Sequence, residues 1–219
     1  MLTVLALGLE ILAAILGTYF FYKYRDSGLR FWIILLYLAP AVEFIGTWYS
    51  NTVTYNNHII FNIYDILSTV IIFKLLYHLT QDANRKRWTL ILGCSTVLLF
   101  LINGTYASIV TDFLLLYKAL GTAILIIAIA IYLIDMLKRN TVVVFQRNLG
   151  FIVFTGYMIF NIAYLPIYFT YQYIMSLDSG GGLIFSTLHN VQLSVVVLIN
   201  LLFIFGLFWS KVPAKTIGR

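Results

Sequence analysis

Apolar residues run in seven long stretches, roughly 2–22, 31–50, 58–80, 88–110, 113–137, 148–174 and 183–210, parted by short polar breaks. A helix rises about 1.5 Å per residue, so about 20 apolar residues cross the roughly 30 Å hydrocarbon core of a bilayer. Each stretch meets that length. The pattern predicts an all-α polytopic membrane protein, with residues 1–219 forming a single domain of seven transmembrane helices and no room between the spans for a soluble domain.

The breaks differ in charge. The first, third and fifth carry Lys23, Arg25 and Arg30; Arg85, Lys86 and Arg87; and Lys138, Arg139 and Arg147, while the tail carries Lys211, Lys215 and Arg219. The second, fourth and sixth carry no lysine or arginine. Short loops rich in Lys and Arg stay cytoplasmic. The N-terminus is therefore expected outside and the C-terminus in the cytoplasm. The first stretch lacks a basic leader and a small-residue cleavage site, so it is expected to be kept as a span.

That orientation serves as a ruler for polar residues inside the spans. Glu10, Glu43, Asp65 and Lys118 each cost several kcal/mol in hydrocarbon, so such groups face the bundle interior and find partners. Asp65, Lys118 and His189 fall about one to two turns from the outer surface, Glu43 about two turns, and Glu10 somewhat deeper. Spacing adds neighbours. His58, Asn62, Asp65 and Thr69 share one face of the third helix, and Tyr157, Asn161, Tyr164, Tyr168 and Tyr171 recur along the sixth. On the seventh, Ser186, Asn190 and Ser194 share a face, with His189 and Gln192 beside it. The expectation is an outward-facing polar pocket of Glu10, Glu43, Asn62, Asp65, Lys118, Asn161, Tyr164, His189 and Asn190. A structural alternative stands beside it. Lys118 either snorkels to the surface or pairs with Asp65, Glu43 or Glu10, and such a pair can be a clasp between helices.

Other polar groups have plainer expectations. Asp135 is placed in an inner-rim salt bridge with Lys138 and Arg139, and Lys74, Tyr77 and His78 at the inner end of the third helix. Pro40 and Pro166 should kink their helices. Ser179 to Gly182 is expected to be a turn.

Composition narrows the function classes. The chain is 62% hydrophobic and 10% charged, with a mean hydropathy of +0.95. The net charge of +6 resides in dispersed loop triplets, which suits anionic lipid but lacks the continuous basic surface of a nucleic-acid binder. A lone Cys94 and three histidines, His58, His78 and His189, give no Cys/His metal set, and no cofactor is expected. The last stretch holds no lysine for a retinal Schiff base. Zinc hydrolase chemistry lacks histidines, and the sequence has no phosphate loop or nucleophile elbow.

The segments Val42-Glu43-Phe44-Ile45-Gly46 and Asn62-Ile63-Tyr64, together with Asn103, Leu149-Gly150 and Leu165-Pro166, span Leu29 to Pro166. In these the chain resembles a family of small seven-helix membrane proteins abundant in Bacteroidota, similar in layout to the seven-helix input modules of bacterial histidine kinases. Ser68 stands where that family often has a glutamate, and Asp65 is the nearby carboxylate. The resemblance implies a multi-pass protein of a bacterial inner membrane and a sensory or accessory role. The expectation is a receptor-like subunit that acts through a membrane or signalling partner protein. A small solute or proton-coupled transporter and a structural subunit of a larger complex are the alternatives.

Overall fold

Hydrocarbon offers the backbone no water to bond, so a chain crossing it must satisfy its amides within each segment, and the helix does this. The computed structural model describes residues 1–53, 56–139, 147–175 and 181–211, with the backbone alone at 139, 170–175 and 181–185. The helices are α1 (Leu2–Tyr19), α2 (Trp32–Thr52), α3 (His58–Leu79), α4 (Ala83–Tyr106), α5 (Leu115–Arg139), α6 (Leu149–Met175) and α7 (Gly181–Trp209). All seven are long and apolar enough to cross a membrane. Between 17% and 39% of each span is buried, and every helix also carries exposed apolar residues, among them Leu12, Trp48, Leu67, Leu101, Ile127, Ile162 and Leu198.

Local chemistry sets the boundaries that hydropathy misplaced. The fourth helix begins at Ala83 rather than 88, because the Asp82 side chain accepts from Arg85 N at 2.9 Å and caps it. Arg85, Lys86 and Arg87 thus belong to its start and not to a loop. Ser27 caps the 3-10 turn Gly28–Phe31 in the same way, accepting from Leu29 N. α2 and α6 continue as helix through Pro40 and Pro166. Gly181 and Gly182 open α7 instead of forming a turn, while Ser179 and Gly180 lie outside the described residues.

Successive helices pack side by side, and α1 against α7 closes the ring. α3 also packs on α5, which displaces α4 to the outside. Close approach depends on small residues: a Cβ at Gly206 of α7 would lie 2.9 Å from Ile152 Cγ2 of α6, and one at Gly156 would lie 2.8 Å from Phe203 Cε1.

One end of the bundle is basic and tightly closed. Lys23 Nζ donates to the carbonyls of Leu207 (2.7 Å) and Ser210 (3.0 Å), tying the α1–α2 corner to the end of α7. The Arg147 guanidinium lies 5.0 Å from the Trp209 ring, and the Lys74 ammonium 4.1 Å from the Phe31 ring. Asp135 is 1% exposed and pairs with Arg85 at 3.0 Å. Among the described side chains this partner comes from α4, which starts early enough to bring Arg85 over Asp135; the Arg139 side chain lies outside the described residues. Lys215 and Arg219 lie outside the described residues. Above this rim Tyr24, Trp32, Leu75, Leu76, Ile129, Phe154 and Leu207 are fully buried. Trp32 packs edge-on against Phe203 at 5.2 Å, and Tyr24 Oη donates to the Gly17 carbonyl at 2.5 Å. These side chains form a solid plug through the basic half.

A ligand-sized cavity with unbalanced carboxylates

Beyond the plug, toward the end opposite the basic rim, the ring opens into a cavity of about 470 Å³. Small-molecule sites typically occupy about 300–1,000 Å³. Its wall comes from α1, α2, α3, α5, α6 and α7, and α4 supplies none of it among the described residues. Leu35, Leu36, Ile72, Leu125, Ile199 and Phe203 make an apolar floor continuous with the plug. Asn57, His58, Phe113 and Tyr168 lie at the far end.

The wall carries three carboxylates, Glu10, Glu43 and Asp65, and one ammonium, Lys118. Lys118 is 7% exposed and forms an ion pair with Asp65, joining α5 to α3. Its ammonium also lies 4.1 Å from the Phe113 ring, a cation–π contact that offsets part of its desolvation. This decides between the two expectations for Lys118: it pairs and does not snorkel. Tyr117 Oη is 3.3 Å from the Asp65 carbonyl and 3.2 Å from Thr69 Oγ1, bracing the same helix pair.

Glu10 and Glu43 have no such partner among the described residues. They feel each other's charge across α1 and α2, and Glu10 Oε2 is fully buried without a hydrogen-bond partner. Glu43 is exposed to the cavity. The Tyr64 and Tyr164 hydroxyls sit in the field of all three carboxylates. Asn161 and Asn200 are buried in the wall and donate to the carbonyls of Tyr157 (2.7 Å) and Val196 (2.9 Å) one turn back.

Glu10, Glu43, Asp65, Lys118, Asn161 and Tyr164 therefore share one cavity. Asn62, His189 and Asn190 do not line it. Asn62 sits about 60° round the helix from Asp65 and turns to the α4–α5 loop, donating to the carbonyls of Ile109 (2.9 Å) and Asp112 (2.8 Å). His189 and Asn190 are exposed, and Asn190 joins Thr187 and Ser194 along a shallow outer groove. The cavity face of α7 is Gln192, Val196, Ile199, Asn200 and Phe203. The serine and asparagine spacing marked a real stripe, but on the wrong side of the helix. Asn200, Tyr64 and Tyr117 are wall residues that sequence reasoning missed. The eight-residue step from Gln192 to Asn200 was the available signal, since an asparagine deep in an apolar span needs an interior partner.

Asn103, near the end of α4, accepts from Tyr117 N at 2.8 Å and caps the start of α5. With Asn62 it fixes the loop that carries Phe113 to the cavity. No group of three His, Cys, Asp or Glu side chains is arranged to hold a metal ion among the described residues. Neither a family model, nor a curated protein, nor a solved structure matches the chain.

Proposed function

We propose that this chain is a receptor-like subunit of a bacterial inner membrane, with its N-terminus outside, that binds a small ligand in the cavity and acts through a partner protein. The observation that carries this reading is the cavity itself: six helices line it, Glu10, Glu43, Asp65 and Lys118 stand on its wall, and a buried aromatic plug lies beneath its apolar floor. A bound ligand would touch α1 and α2 as well as α6 and α7. It would shift their packing only by as much as it prefers one arrangement over another. The basic rim, where Lys23 ties α1 to α7 and Asp135 ties α5 to α4, is where a partner would sense that shift. The resemblance to sensory seven-helix modules points the same way. Mild-detergent purification of the tagged chain should recover a second membrane or kinase-like protein in constant proportion. A solitary protein that moves solute across proteoliposomes would overturn the reading.

A small carrier is the second reading, and one observation favours it. Pro40 precedes Glu43 by one turn in α2, and Pro166 lies between Tyr164 and Tyr168 in α6, so two wall helices have weakened backbone bonding beside the cavity. Uptake that survives Glu43→Gln and Asp65→Asn would count against it.

A further inference from the structure

The wall pairs carboxylates with aromatic rings in two places. In the first, Asp65 and Phe113 hold the Lys118 ammonium between them. In the second, Glu10 and Glu43 share the wall with Tyr64 and Tyr164, and each carboxyl lies within electrostatic reach of the other. No second lysine or arginine lines the cavity among the described residues. His189, exposed on α7, also lies in the field of Glu43.

We propose that the cavity takes an organic ammonium ion, a singly charged amine attached to an apolar body about the size of one aromatic ring. The proposal rests on the reading of the cavity as a ligand site and names what that site selects. Three features carry it. With Asp65 and Lys118 paired, Glu10 and Glu43 are two carboxyl groups on the wall with no lysine or arginine of the cavity left to pair them among the described residues, and a cation brought to them in a low-dielectric setting gains most. Glu10 Oε2 is buried without a partner, and an ammonium hydrogen would satisfy it. Nine aromatic rings line the cavity, and such faces attract desolvated cations. The carboxylates are too dispersed to close around a metal ion, whereas an ammonium needs only one or two of them plus a ring. The apolar floor of Leu36, Ile72 and Phe203 suits the body of the molecule.

The test is calorimetric titration of the full chain in nanodiscs, with empty nanodiscs as the partition control. The probes are phenethylammonium, its neutral isostere 2-phenylethanol and the anion 3-phenylpropionate. The ammonium should bind about tenfold or more tighter than either isostere, the discrimination a charge-assisted contact supplies. Glu43→Gln and Glu10→Gln should each reduce that preference about tenfold. The wild-type comparison alone decides the matter if either variant fails to fold. Equal or tighter binding of the alcohol or the anion would overturn the cation class and leave the cavity a ligand site. Heats matching empty nanodiscs for all three probes would remove both readings.

Discussion

Lys118 of α5 forms an ion pair with Asp65 of α3, and the two ends of that pair live in different surroundings: the lysine side chain is 7% exposed and the aspartate 24%. The aspartate keeps a share of the cavity, while the lysine is sealed beneath Phe113. Removing one partner of a buried pair typically costs about 3–5 kcal/mol, because the other charge stays buried and alone. The losses should therefore be unequal. Asp65→Asn, which strands the lysine, should destabilise by about 3 kcal/mol or more, and Lys118→Met should cost less. The double variant Asp65→Leu/Lys118→Met should recover most of the loss. Denaturant unfolding in detergent measures all three, and additive losses in the double variant would show that the two residues do not act as a pair.

Asn103 holds the first turn of α5 through Tyr117 N, and Asn62 holds the preceding loop through two carbonyls. Asn103→Ala leaves a buried N–H without an acceptor and should cost about 1–3 kcal/mol. Hydrogen exchange should speed up at 115–118 in that variant and at 107–114 in Asn62→Ala. Exchange unchanged at both segments would remove the clasp role of the asparagines.

The α6–α7 contact makes a steric test. Gly206→Ala would place its Cβ 2.9 Å from Ile152 Cγ2, whereas a Cβ at Gly8 meets nothing within 4 Å. Overpacking of this kind costs about 1–3 kcal/mol, and Gly8→Ala should stay within about 0.5 kcal/mol of the parent. Thermal unfolding in detergent separates them. Equal midpoints for both variants would mean that α6 and α7 pack less closely.

Hydropathy alone located every span, because a bilayer imposes length and apolarity on each segment independently. It misplaced the start of α4, where a single aspartate cap overrides an apolar count that charged residues dilute. Within the site, the carboxylates and Lys118 were legible because hydrocarbon penalises them wherever they point. Which face of a helix turns inward was less so. On α6 Tyr157, Asn161, Tyr164 and Tyr168 form one stripe, and that stripe lines the cavity; the Tyr171 side chain lies outside the described residues. On α7 two polar stripes compete, Ser186–Asn190–Ser194 and Gln192–Asn200, and only packing against α1 and α6 selects the second. Asn62 misled for a related reason. It lies at the edge of the cavity face, where the carbonyls of the α4–α5 loop capture its amide.

Accessibility of the cavity from one side is open to direct measurement by thiol labelling in a Cys94→Ser background. Cys94 is the single cysteine, and it is exposed, so it must be removed first. Arg87→Cys marks the basic end, Val110→Cys marks the opposite end, and Ser68→Cys reports from the cavity wall. A membrane-impermeant reagent applied to sealed right-side-out and inside-out vesicles should modify Ser68→Cys only from the side that modifies Val110→Cys. Reaction from the Arg87→Cys side, or from neither, would show that the cavity is not a cup open to the outside.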